Sequence, residues 1–317
     1  MIGRRVALGT ALAAVPLLRA AAQAPAKIGW ISVSEHPFIK DFRERLNELG
    51  LVEGRNLVIE YRYAKGDASL LPALVEDLAK AGVSVIVPSG SNATDAAVAH
   101  TKGIPVIFLT SDPTIAGQRS SLARPSGAAT GISTMSVDIA SKKVALLRDA
   151  VKGLARLAVL DDGSPGSGRQ CEEMSAAAQR IGIESRTFAL AEPAAFGTGF
   201  ALIASERWSA AVAASSPLFA ASAAALAELT KRHRMPALFD NPSFVQAGAL
   251  MSYGPDLKVA FRRLAEMTER VIRGGRPADI PLEQVSKFLF TFNQTTAKAL
   301  GLSLSLPVMA SVDELVE

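Results

Sequence analysis

The sequence predicts an α/β protein of two doubly wound parallel-sheet lobes in series. Three observations carry that reading. Short runs rich in Val, Ile and Leu alternate with segments whose apolar residues recur at helical spacing. The alternation stops and restarts once, just after Gly131. The last third adds one long helical pattern and a few strand-like pieces, too little for a third unit. Strands alternating with helices call for a parallel sheet covered on both faces.

The first 22 residues stand apart from this pattern. Arg4-Arg5, an apolar run from Val6 to Leu18, and small residues from Ala20 to Ala24 have the order of an export signal. The run is too short to span a membrane. Cleavage after Ala22 or Ala24 satisfies the small-x-small rule, and Pro25 favours Ala22. The paired arginines fit a twin-arginine route and an ordinary n-region alike. The expected location is the periplasm, with the signal removed.

Lys27 to Val33 is an apolar run that reads as the first buried strand. Phe38, Phe42, Leu46 and Leu49 follow at helical spacing, and Gly50 ends that helix. Val58 to Ala64 is the second strand, followed by a helix through Leu70, Leu71, Leu74 and Leu78. Val83 to Val87 is the third strand; Ser91 or Asn92 caps the helix that runs to His100. The fourth strand starts at Val106, and a fifth lies near Gly131. The second lobe repeats the alternation, with strands at 157–160, 185–190, 211–214 and 237–239 and helices between them. The expected partition is 23–134 plus 251–276 for the first lobe and 135–250 plus 277–317 for the second. Segments crossing between the lobes make a hinge.

Composition narrows the function. Nearly half of the chain is apolar, 49%, and roughly 295 residues after signal removal exceed what one core usually serves. Loss of Arg4, Arg5 and Arg19 takes the 34 basic residues to 31 against 30 acidic ones, so the formal charge falls from +4 to +1. With no block of Lys and Arg, a nucleic-acid partner is not expected. Cys171 is alone, so no internal disulfide forms. His36, His100 and His233 are scattered and no G-x-S-x-G elbow occurs, so neither a metal site nor a catalytic constellation is expected. No cofactor is expected either: the glycines at 163, 166 and 168 run in reverse of the dinucleotide fingerprint and read as a cleft loop.

Several local motifs occur together. They are Gly50-Leu51-Val52-Glu53-Gly54-Arg55-Asn56-Leu57 with Glu60-Tyr61-Arg62, Leu71-Pro72-Ala73-Leu74, Ile104-Pro105-Val106-Ile107-Phe108, Asp112-Pro113, and Leu122-Ala123-Arg124-Pro125-Ser126-Gly127 leading to Thr130-Gly131. Gly248-Ala249-Leu250-Met251-Ser252-Tyr253-Gly254 and Thr296-Ala297-Lys298-Ala299-Leu300-Gly301-Leu302 complete the set. Together with the exported start, they make the chain resemble the ABC-transporter substrate-binding proteins of the type I periplasmic-binding fold, in the branch that includes tryptophan- and tyrosine-binding members. The resemblance implies two lobes joined by three crossovers, a solute in the cleft, hinge closure, and a monomer that partners an ABC permease membrane subunit. Two stretches depart from the family's pattern: Ser215-Ser216-Pro217, where relatives often carry an acid, and Asp161-Asp162-Gly163-Ser164, where they often carry asparagines.

In open α/β sheets, ligands collect beyond the carboxyl ends of the strands. The candidate ligand contacts are therefore the strand-end residues Ser32, Ser34, Ser89, Gly90, Ser91, Asn92, Thr110, Ser111 and Asp112 of the first lobe. On the second lobe they are Asp161, Asp162, Ser215, Ser216, Asp240 and Asn241, with Tyr253 at a crossover. Hydroxyls, amides and carboxylates dominate, which suits an amino-acid-like zwitterion better than a phosphate. The turn 89–92 opens a helix and can hold a carboxylate on free N–H groups, or its side chains simply cap that helix. Asp112 can pair with an amine, or with Pro113 it starts a turn. Tyr253 contacts ligand or packs at the crossover. Trp30 and Trp208 read as core residues, with an aromatic platform open for Trp30, and His36 reads as a solvated helix start, with ligand contact from the first turn the alternative. A ligand-sensing subunit docking on a receptor would use the same cleft.

Overall fold

A computed structural model describes residues 24–101, 103–111 and 127–317; the export-signal reading and Asp112 lie outside the described residues. The first lobe opens with strand β1 (Ala26–Ser32) and helix α1 (Ile39–Glu48), then β2 (Leu57–Tyr63), α2 (Leu71–Lys80), β3 (Val85–Ser89), α3 (Ser91–His100), β4 (Val106–Thr110) and β5 (Ala129–Ser133). The second begins with α4 (Ala140–Ala150), β6 (Arg156–Asp161), α5 (Pro165–Arg180), β7 (Glu184–Ala189), α6 (Ala194–Ser205) and β8 (Ala210–Ala213). It continues through α7 (Pro217–Ala221), α8 (Ala223–Arg232), β9 (Ala237–Phe239), α9 (Pro242–Gln246) and β10 (Met251–Pro255). The remaining elements are α10 (Leu257–Ile272), β11 (Glu283–Gln284), β12 (Phe288–Asn293), α11 (Gln294–Leu300), α12 (Leu306–Met309) and β13 (Glu314–Val316).

Two sheets result, ordered β11-β5-β4-β3-β1-β2 and β13-β12-β10-β9-β8-β6-β7. The pairs are parallel apart from β10 with β12, which run antiparallel. Each sheet is covered on both faces. In the first lobe, one core gathers Trp30, Phe42, Leu46, Phe261 and Leu264 under α1 and α10, and the other gathers Leu71, Val75, Leu78 and Phe108 under α2 and α3. Helix α10 docks because Leu257, Phe261, Leu264, Thr268 and Val271 share one stripe at spacings of three and four.

The crossing points differ from the expected partition. Strand β10 pairs with β9 in the second sheet, α10 packs on the first lobe, and β11 pairs with β5 in the first sheet before β12 returns to the second. The chain therefore crosses between β5 and α4, at Asp256, and between β11 and β12. Residues 251–255 and 277–284 are short pieces, and their local pattern carries no mark of which sheet they join.

Candidate ligand-binding cleft

The first-lobe wall is made where β3 turns into α3. Gly90 holds φ 93° and ψ 158°, a conformation side chains resist, so the chain turns from strand to helix in one residue. This displaces the expected cap: Gly90 takes the N-cap position and Ser91 becomes the first helical residue. The Ser91 hydroxyl is thereby free to meet Thr110 Oγ1 at 3.1 Å and Ser111 Oγ at 2.8 Å. First-turn N–H groups of a helix have no intrahelical partner and face the positive end of its dipole. Below them, Thr134 and Ser136 share a 2.8 Å hydrogen bond and are both buried.

The second-lobe wall is a row of helix caps. Ser164 Oγ accepts from Ser167 N–H at the start of α5, Ser216 Oγ accepts from Leu218 and Phe219 N–H at the start of α7, and Asn241 Oδ1 accepts from Ser243 N–H before α9. Pro165, Pro217 and Pro242 each follow a cap, where a missing N–H costs nothing. Gln170 clamps the Ser215 turn: its Oε1 accepts from Ser215 N–H at 2.8 Å and its Nε2 donates to Gly166 O at 3.0 Å.

Asp240 is the acid of this wall. It is 6% exposed, and Asn241 Nδ2 donates to its Oδ1 at 2.8 Å. Burial raises its pKa, and the opposing attraction is that of Lys143. Lys143, on α4, is itself 1% exposed; its Nζ lies 3.3 Å from Ala213 O and 3.4 Å from Ser215 Oγ. Burial lowers its pKa and Asp240 opposes the shift.

The two walls close on a cavity of about 50 Å³ lined by Ser89, Gly90, Ser91, Thr110 and Ser111 from the first lobe and Ser164, Ser215, Ser216, Pro217 and Asp240 from the second. His36, Leu109, Thr134, Ser136, Pro255 and Leu257 complete the lining. Asp240 and His36 are its ionisable groups among the described residues. His36 is buried, not solvated: its ring lies 4.7 Å from that of Phe261 at a tilt of 30°, its Nδ1 accepts from Phe38 N–H, and burial drives its pKa down to about 3. The residue that covers it sits on α10, more than two hundred positions away, so its immediate neighbours in sequence give no sign of burial.

The other candidates lie elsewhere. Ser32 is buried and donates to Ser34 O at 2.6 Å, tying off the end of β1. Asn92 and Asp162 line a separate and larger cavity between the lobes, about 540 Å³, with Lys65, Gly66, Ala191 and Pro193. Asp161 and Asp162 each accept from a backbone N–H two residues on, Gly163 and Ser164, and so build the turn into α5. Asn241 positions Asp240 without lining the cavity. Tyr253 packs 6.1 Å from Phe288 and 6.4 Å from Phe290. Trp30 is a core residue, 5.1 Å from Phe42, and does not line the cavity. Of the stretch read as a cleft loop at 163–168, residues 165–168 are instead the first turn of α5, because Ser164 caps it and Pro165 starts it. Lys143, Gln170 and Ser136 escaped sequence reasoning; Lys143 carried a signal, being a charge on a helix flanked by buried Val144 and Leu147.

Residues 31–316 match the family model of the ABC transporter substrate binding protein. The chain belongs to the ABC transporter substrate-binding protein family. No curated protein sequence matches it. Among solved structures, a conserved domain protein from Vibrio cholerae is similar at TM-score 0.83 and 22% identity, covering 92% of this chain and 99% of that one. The ABC domain from Streptococcus pneumonia in complex with L-Trp is similar at TM-score 0.82 and 23% identity, covering 92% and 100%. The 5-methylthioribose transporter solute binding protein from Thermotoga lettingae follows at TM-score 0.62 and 14% identity, covering 90% and 95%. At these identities the likeness is one of fold: the type I periplasmic-binding architecture of two α/β lobes. Among the described residues, no helix is long and apolar enough to cross a membrane and no cluster of His, Cys, Asp and Glu could hold a metal.

Proposed function

We propose that this substrate-binding protein is exported and captures a small amino-acid-like solute, with an aromatic side chain among the candidates, in the cleft between its lobes. It then presents the closed form to an ABC permease in the membrane. The observation that carries the reading is the opposition of two charge-selective features across one cavity: the N-terminus of α3 behind Ser91 on one wall and the Asp240 carboxylate on the other. A helix N-terminus favours a carboxylate, and a buried aspartate favours an ammonium. A zwitterion supplies both. The hydroxyls of Ser89, Ser91, Thr110, Ser111, Ser215 and Ser216 offer the remaining hydrogen bonds.

A 50 Å³ cavity is far below the roughly 300–1,000 Å³ of sites that hold drug-sized molecules. The lobes therefore part to admit the solute, and closure is favoured only by the contacts the solute adds across the cleft. Native mass spectrometry of the protein purified from periplasm, followed by a thermal-shift panel of amino acids, purines, sugars and small carboxylates, tests the reading. A retained amino acid with a matching stabilisation is the expected outcome. Stabilisation by sugars or polyols alone would leave the transport role and overturn the zwitterion assignment.

A further inference from the structure

Lys143 stands out among the largest fully buried side chains, which are otherwise apolar: among the described residues it is the one lysine at 1% exposure. A lysine is almost never fully buried without a partner. Its Nζ donates to Ala213 O and Ser215 Oγ at the carboxyl end of β8, and Ser215 and Asp240 line the same cavity. Both charges are buried, and of the two only Asp240 reaches the cavity lining.

We propose that Lys143 sets the charge of the solute: it compensates Asp240 from behind the second-lobe wall, so the closed cleft accepts a solute of zero net charge and rejects a net cation. The proposal rests on the cleft being the solute site. A closed cleft excludes water, and an uncompensated charge inside it is strongly disfavoured. Among the described residues of the cleft and its second-lobe wall, Lys143 and Asp240 sum to zero. A zwitterion keeps that sum, its ammonium sharing Asp240 with Lys143 and its carboxylate on α3. A cation lacking the carboxylate leaves one positive charge unbalanced. Without Lys143 the Asp240 carboxylate lacks its compensating charge, and the same cation can supply it. Cys171, the other titratable group near Lys143, does not alter the sum, since burial pushes its thiol up to about 12 and keeps it protonated.

Two measurements test this. The first needs no ligand: thermal denaturation of wild type, Lys143→Met, Asp240→Asn and the double variant. Each single variant is expected to lose stability, and the double variant to melt no lower than the weaker single. Strictly additive losses would overturn the proposal, as would a double variant that fails to fold. A double variant that folds where Lys143→Met alone does not would support it.

The second is a thermal-shift and calorimetric panel of L-amino acids with their L-amino acid amides, D-arabinose and myo-inositol. Wild type is expected to take net-neutral members only, and Lys143→Met to shift the acid-to-amide preference by about tenfold toward the amide. A cation bound by wild type, or an unchanged preference in the variant, counts against the proposal. If amino acids fail but a neutral polyol binds, the solute class proposed above falls and the charge rule stands. With no member bound, the denaturation cycle decides alone.

Discussion

Gly166 of the second lobe sits against Ser91 of the first so closely that a Cβ on it would lie 2.3 Å from the Ser91 hydroxyl oxygen, and equally close to that of Ser111. No real Cβ tolerates such a distance. The first turn of α5 can approach the first turn of α3 only because this position carries no side chain.

Gly166→Val should therefore hinder closure while sparing each lobe. Overpacking costs about 1–3 kcal/mol, and a cost confined to the closed state lowers affinity by about 5- to 150-fold. Calorimetry with the solute found by mass spectrometry checks the loss, and small-angle scattering should show lobes that stay apart. Gly168→Ala is the control, since nothing lies within 4 Å of a Cβ there. Equal losses from both variants would rule out the contact with Ser91 as the cause.

Removal of Asp240 should weaken binding of a zwitterion by about 10- to 150-fold, the value of a charged hydrogen bond of about 1.5–3 kcal/mol. Asp240→Ala with Asp112→Ala should exceed about 100-fold only if both carboxylates meet the solute, an outcome that adds a second negative charge to the cleft and counts against the charge rule. Titration calorimetry of the three variants separates the contributions. Wild-type affinity in Asp240→Ala would remove this residue from the site.

His36 should make stability fall with acid. An unfolded histidine titrates near 6.5, while burial holds His36 at about 3. Between those values the unfolded chain binds a proton that the folded one refuses. The contribution of His36 is thus fully present above pH 6.5 and is lost as pH drops, at about 1.4 kcal/mol per unit. Melting temperatures from pH 7 to 4.5 should decline less steeply in His36→Phe than in wild type. Parallel curves would mean that His36 is not held neutral.

Cys171 should resist thiol reagents in the native protein at pH 8. Its side chain is 3% exposed, its Sγ–H donates to Leu160 O, and burial pushes its thiol up to about 12. Stoichiometric labelling is expected only in denaturant. Rapid labelling of the folded chain would show that the α5 face of the second core opens readily.

The sequence by itself determined the class of fold and much of the strand-end chemistry. Apolar runs such as Leu157 to Leu160 and helical stripes such as that of α10 encode their own burial, because a period of hydrophobicity is a local property. Ser89, Ser91, Thr110, Ser215, Ser216 and Asp240 could be named because strand ends and helix starts can be located from that period, and parallel sheets gather them on one edge. Tertiary structure decided which strand-end residues face the cavity and which tie off their own turns, as Asp161, Asp162 and Asn241 do. It also decided which lobe takes β10 and β11, why His36 is dry under Phe261, and that Lys143 is buried beside Ser215. Each of these depends on a partner brought from far along the chain. Charge compensation and desolvation act through distance in space, and no spacing along the sequence records that.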